Sequence, residues 1–344
     1  MSEKTIMRLM MVLGLGFILT IVIATCGGNG QTDIDIDPTS AVVPLVPVRV
    51  ALDWYPNANH IGLYIADERG YFREEGLKVD LYTPSDPSTV LQTVGAGQDD
   101  FGISYQPDIL LARAQNVPVV AVAAMVQHPL NSVMALKSSG IERPADLKGK
   151  KVGYPGIPTN EPLLDTMLKF DGLSGLEDVE LVNVGFNLAP ALISGQVDAV
   201  VGAYWTHESI LVENQGYEVS VLRMEEWGVP DYYELMIVAS ELHVENDTAT
   251  IEKFMRAVRR GYDDAMSDPQ GGVDVLVRGT QEEVDETVDR PGADLLPDLW
   301  RPASGRFGNQ DPARWESFTK WMQDNGLISS DVKASDAFSI QFQE

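Results

Sequence analysis

From Val48 onward the chain alternates short β-branched runs with amphipathic stretches, and midway it begins the same alternation again. This twice-begun order limits the fold more than any other feature. Parallel strands need helical crossovers, and those crossovers are right-handed. The first series reads VRVALDW, HIGLYIADERGYFREEG, LKVDLYT, SDPSTVLQTVGAG, FGISY, PDILLARAQ and PVVAVAAMV. In its first helical stretch Ile61, Tyr64 and Ile65 recur at helical spacing and are expected to face the sheet. The second series reads KKVGYP, a helix near 161–171, VELVNVG, NLAPALISG, DAVVGAYW, a helix near 207–214 and EVSVLR. Two apolar strands, residues 132–136 and 235–239, bracket it and read as the crossings between two lobes. The expected architecture is α/β, with residues 48–134 and 238–344 in lobe 1 and residues 135–237 in lobe 2. The helical tail (TIEKFMRAVRRGYDDAM, QEEVDETV, PARWESFTKWMQDNG) is expected to return to lobe 1, with Trp300, Trp315 and Trp321 in the core.

The first residues stand apart from this pattern. Lys4 and Arg8 precede an uncharged run over residues 9–25, and Cys26 follows. A basic start and a short apolar run mark a secretory signal, and the run falls short of the roughly 20 apolar residues of a spanning helix. The segment resembles a bacterial lipoprotein signal, which implies cleavage after residue 25 and lipid modification of Cys26. Thr25 departs from the Gly, Ala or Ser usual at that place. Residues 26–47, rich in Gly, Asp and Pro, read as a flexible tether. Cys26 is the only cysteine of the chain, so after lipidation no thiol is left for disulfides, metal clusters or nucleophilic catalysis. The formal net charge of −26 excludes a nucleic-acid binder, which needs a basic face.

Four strands run directly into aromatics at their carboxyl ends: Trp54 after Asp53, Tyr105, Tyr154 before Pro155, and Tyr204 before Trp205. Ligands of open α/β sheets sit beyond the carboxyl ends of the strands, so these residues point to a pocket for a flat molecule between the lobes. In DWYPNANH, Trp54 is expected to stack on a ring while Asp53, Asn57 and His60 read its edge; the plainer reading makes Asp53 or Asn59 a helix cap and has Trp54 fill a lobe interface. In YPGIPTNE, Glu161 either accepts from an amino group or complements the helix dipole, with Thr159 or Asn160 as the cap. In YWTHE, Tyr204 is expected to stack, and Glu208 either pairs with a ring N–H or is an ordinary first-turn carboxylate. Trp227, Tyr232, Tyr233 and Glu234 read as hinge packing. No metal-ligand spacing and no cofactor motif stand out, and no catalyst is needed to account for these residues.

The stretches LDWYPNANHIGLYIADERGYFREEGLKV, FGISYQPDILLARAQNVPVVAVAAMVQHPLN, ADLKGKKVGYPGIPTNEP and DAVVGAYWTHE resemble solute-binding proteins related to the thiamine-pyrimidine biosynthesis enzymes. The resemblance implies a two-lobed, type II-like periplasmic-binding-protein fold and a monomeric receptor anchored by lipid to the outer face of the cell membrane. It also implies an ABC permease and ATPase as partners, and Trp54 and Tyr204 sandwiching a heterocycle. Ligands of that group include formylaminopyrimidine and riboflavin. Trp205 beside Tyr204, with Trp227 near, would make a broad platform, so riboflavin is expected, with formylaminopyrimidine as the alternative. The fungal branch makes the thiamine pyrimidine from its own histidine and carries a cysteine-rich segment. His60 lies in the corresponding motif here, but that segment is lacking.

Overall fold

The computed structural model describes residues 44–280, 284–303 and 305–343. The expected signal, Cys26 and the expected tether through residue 43 lie outside the described residues. In chain order the strands are β1 (Val46–Ala51), β2 (Leu77–Tyr82), β3 (Phe101–Ser104), β4 (Val119–Val126) and β5 (Asn131–Leu136). They continue with β6 (Lys151–Tyr154), β7 (Glu180–Asn183), β8 (Ala199–Tyr204), β9 (Val219–Arg223) and β10 (Leu235–Ser240). One sheet runs β2-β1-β3-β10-β4 and the other β7-β6-β8-β5-β9.

Each sheet contains one strand antiparallel to its neighbours. These are β10 against β3 and β4, and β5 against β8 and β9. The cause is geometric. The chain leaves each lobe at the carboxyl end of a strand, beside the cleft, so the strand it enters next must run away from the cleft. β5 is the first strand of lobe 2 and β10 the first after the return. The two strands read from sequence as crossings are therefore interior members of the sheets. Residues 132–134, assigned above to lobe 1, lie in the second sheet, and residues 235–237, assigned to lobe 2, lie in the first. Paired on both sides, their backbone groups are satisfied as a bridging strand's would not be. The crossings themselves are residues 127–130 and 224–234.

Two further boundaries differ from the sequence reading. β1 begins at Val46, pairing Val46 with Leu77 and Pro47 with Lys78, so the strand takes two residues from the expected tether. Pro47 is tolerated there because β1 meets β3 only at Val50 and Ala51, leaving its start edge-like. The stretch after His60 is two helices, Ile61–Glu68 and Tyr71–Glu74, separated at Gly70.

Burial follows the layers. Ile61, Leu63 and Ile65 of the first helix are buried with Phe254, Val258 and Tyr262 of the long tail helix Thr248–Ser267. Trp300 and Trp315 are fully buried, and Trp321 packs partly buried against the second core cluster. That cluster joins the facing sides of both lobes, from Ala51 and Ile109 to Val133 and Leu164.

Candidate ligand-binding site

A cavity opens where the carboxyl ends of the two sheets face each other. Lobe 1 lines it with Asp53, Trp54, Asn57, Tyr105 and Pro107. Lobe 2 contributes Asn131, Ile157, Thr159, Asn160, Gly202, Tyr204, His207 and Glu208, and the second crossing adds Tyr232 and Glu234.

The polar groups are held in place from behind. Asn57 donates its backbone N–H to His60 Nδ1 at 3.2 Å. The ring proton therefore sits on Nε2 and is given to Asp53 Oδ1 at 2.9 Å. The other Asp53 oxygen accepts from the Tyr105 hydroxyl at 3.0 Å. Burial, and then the neighbouring Asp53, keep the Tyr105 hydroxyl protonated well above its ordinary range. On the opposite wall Glu208 accepts from the Tyr204 backbone N–H at 2.8 Å and contacts His207 Nδ1 at 3.1 Å. Burial pulls the His207 pKa down, but Glu208, Asp289 and Asp285 outweigh it and raise the pKa to about 9. His207 is thus a cation at neutral pH.

Glu234 joins the cavity to the crossings. One carboxylate oxygen accepts from the backbone N–H groups of Leu130 at 2.7 Å and Asn131 at 3.0 Å, and from the Tyr232 hydroxyl at 3.1 Å. The other accepts from the Tyr204 hydroxyl at 3.2 Å. Burial raises its pKa to about 7 against the pull of these donors.

Several contacts hold the lobes together around the cavity. Asp108 of lobe 1 accepts from the backbone N–H of Thr159 at 3.1 Å and from its hydroxyl at 3.0 Å; burial lifts the Asp108 pKa to about 7. Trp54 meets Phe186 edge-on at 4.4 Å between ring centroids. The tail helix Glu286–Leu295 passes so close to lobe 2 that a Cβ on Gly292 would lie 2.7 Å from the Thr206 carbonyl oxygen.

The family model described as NMT1/THI5 like matches residues 57–271, well over half of the chain. The chain belongs to the NMT1/THI5-like family. It is 38% identical over 322 residues to the formylaminopyrimidine-binding protein of Halalkalibacterium halodurans, covering 93% of this chain and 95% of that protein. It is 32% identical over 235 residues to the 4-amino-5-hydroxymethyl-2-methylpyrimidine phosphate synthase of Aspergillus parasiticus, covering 65% and 68%. Among solved structures, the alkanesulfonate-binding protein of Xanthomonas axonopodis pv. citri matches with a TM-score of 0.67 at 16% identity, over 86% of this chain and 98% of that one. At that identity the likeness shows the fold, which is the periplasmic-binding-protein fold expected from the sequence.

In this NMT1/THI5-like chain the cavity brings together Asp53, Trp54, Asn57, Tyr105, Tyr204 and Glu208 from the sequence-predicted set. It does not include the other five. His60 is fully buried behind Asp53, with both ring nitrogens occupied, so it orients a wall residue instead of forming one. Tyr154 packs against the second core cluster, and neither it nor Glu161 is among the residues that line the cavity. Pro155 lies against Gly202, close enough that a Cβ on that glycine would meet its ring at 2.9 Å. Trp205 turns to the crossing, donating its indole N–H to the Pro129 carbonyl at 3.1 Å and stacking under Arg223 at 4.1 Å. Trp227 meets Phe170 edge-on at 6.5 Å, away from the cavity wall. The broad platform that favoured riboflavin is therefore not assembled.

Sequence reasoning missed Asn160 and underused Glu234. Thr159 makes no side-chain cap bond to its helix, because its hydroxyl is spent on Asp108. Asn160 is 1% exposed, lines the cavity, and its Oδ1 has no hydrogen-bond partner. Two polar residues at a helix start where one cap suffices were the available signal.

Proposed function

We propose that the chain is the solute-binding component of an ABC importer and captures an aminopyrimidine, as the name of its Halalkalibacterium relative states for that protein. The observation that carries this reading is the unpartnered, buried Oδ1 of Asn160, a residue that lines the cavity together with Trp54 and Tyr204. An acceptor without a donor costs ~1–3 kcal/mol, and an exocyclic amino group would relieve it. Glu208 and Asp53 add acceptors for ring or amino N–H groups, and Trp54 and Tyr204 offer faces for one ring. The 38% identity to a formylaminopyrimidine-binding protein over nearly full length supports the same choice.

A pyrimidine synthase is disfavoured by His60. The synthase reading consumes this histidine, and here both of its nitrogens are engaged and no part of it is exposed. The same proposal includes cleavage after Thr25, a lipid on Cys26, an extracytoplasmic position, and a monomer that delivers ligand to a permease driven by an ATPase. Among the described residues no helix is long and apolar enough to cross a membrane.

Calorimetric titration of the mature chain with formylaminopyrimidine and with riboflavin tests the ligand. Saturable binding of the pyrimidine alone is expected; binding of riboflavin alone, or of neither, would overturn the reading. For the anchor, Cys26→Ser is expected to release the protein from membranes, and unchanged retention would count against lipidation.

A further inference from the structure

Strand β8 carries a bulge where it meets the cavity. Its ladder with β5 pairs Asn131 with Tyr204 and Ser132 with Ala203, but Val133 with Val201, so Gly202 is the extra residue. Gly202 has a φ of +96°, which glycine adopts without strain. A side chain is excluded there in any case, since a Cβ would meet the Pro155 ring at 2.9 Å and Asn160 Nδ2 at 3.2 Å. Bulges beside a site commonly re-aim a group.

Here the group is the Gly202 N–H, which donates to Asn131 Oδ1 at 3.0 Å. That bond fixes which way the amide faces, because only its oxygen can accept. The Asn131 backbone is held as well, its N–H donating to Glu234 at 3.0 Å. Directly opposed residues of an antiparallel pair share a face. Asn131 therefore lies on the side from which Tyr204 reaches the cavity, and it lines the same space. Among the described residues nothing accepts from its Nδ2. A few polar groups of fixed direction are what give a pocket its selectivity. Asn160 also abuts Gly202 and brings the opposite polarity, its unpartnered Oδ1. Two amides at one glycine thus offer a free donor and a free acceptor. A ring nitrogen beside an amino group has the complementary pattern.

We propose that Asn131 is a specificity-determining residue, whose Nδ2 donates to the ring nitrogen adjoining the ligand's amino group while Asn160 accepts from that amino group. The inference deepens the pyrimidine reading and rests on it. Recognition then depends on where the nitrogen sits in the ring, not only on the ring's shape.

Calorimetry of the mature chain tests this with formylaminopyrimidine and two analogues, each having one ring nitrogen replaced by C–H. Loss of the nitrogen beside the ring amino group is expected to weaken binding about tenfold, near the worth of one hydrogen bond. Loss of the other nitrogen should leave the affinity within about twofold. In Asn131→Ala the first analogue should bind as tightly as formylaminopyrimidine does, because the donor that told them apart is gone. Equal affinity of the unmutated chain for formylaminopyrimidine and the first analogue would overturn the assignment and leave the pyrimidine reading standing. A tenfold difference that persists in Asn131→Ala would do the same. If that variant does not fold, the comparison within the unmutated chain decides. Failure of formylaminopyrimidine to bind would remove both readings.

Discussion

Glu234 faces four donors, the N–H groups of Leu130 and Asn131 and the hydroxyls of Tyr204 and Tyr232. A glutamine there turns one acceptor into a donor, which the two backbone N–H groups cannot accept and only a tyrosine hydroxyl could. At about pH 8, where Glu234 is ionised, Glu234→Gln is expected to cost ~1.5–3 kcal/mol, the worth of hydrogen bonds to a charged group, seen as a lower midpoint in urea and weaker ligand binding. Asn160 is the opposite case. Its Oδ1 bonds nothing in the protein, so Asn160→Ala should leave the urea midpoint nearly unchanged. It should weaken pyrimidine binding by roughly tenfold, near the ~1.4 kcal/mol of one good hydrogen bond; an unaltered dissociation constant would show that the ligand does not use this atom. Adjacent side chains at a strand end point to opposite sides. That is why Trp205 goes to the crossing when Tyr204 goes to the cavity, and why reading the pair as one platform failed.

The register of the strands explains which aromatic ends reach the site. Val50 pairs with Phe101, so Trp54 and Tyr105, each four residues further on, arrive level with one another. Val152 pairs with Ala199, so Tyr154 lies two residues past that rung and Tyr204 five. At roughly 3.3 Å per residue Tyr154 stops about 10 Å short and joins the core. The strands themselves were legible from β-branched runs and turn residues, because those depend on local sequence. Pairing offsets were not, since they depend on which strand lies alongside. The helix Glu286–Leu295 carries a matching test at Gly292. A side chain there would press on the Thr206 carbonyl oxygen, and overpacking typically costs ~1–3 kcal/mol. Gly292→Val is expected to hold the lobes apart, lowering ligand affinity by about tenfold. Small-angle scattering should report a larger radius of gyration for the variant than for the parent.

The buried titratable groups give the whole molecule a common pH trend. Asp108 and Glu234 have pKa values raised from 3.8 and 4.5 to about 7, and Asp289 from 3.8 to about 6. Between the ordinary carboxylate range and those values the folded chain holds protons that the unfolded chain has released. These groups therefore favour the fold at low pH, and the contribution fades as pH rises to about 7. His207, raised from 6.5 to about 9, acts in the same direction: its stabilisation is complete below 6.5 and fades through 9. The thermal midpoint is expected to be higher near about pH 5 than near about pH 8, and Asp108→Asn should flatten the acid side of that curve. A midpoint that climbs steadily from pH 5 to pH 8 would contradict this assignment.

The strand exchange has a last consequence, in the order of assembly on the ribosome. β10 fills the place between β3 and β4, so the N-terminal sheet lacks an interior strand until residue 240 has emerged. The inserted sheet is built wholly from β5 to β9 and has all its strands once residue 223 is out. The usual sequence, in which the N-terminal domain folds first during synthesis, is thus expected to be reversed. The middle of the chain completes its sheet while the beginning waits, and the cleft comes into being only when the returning strand slides home.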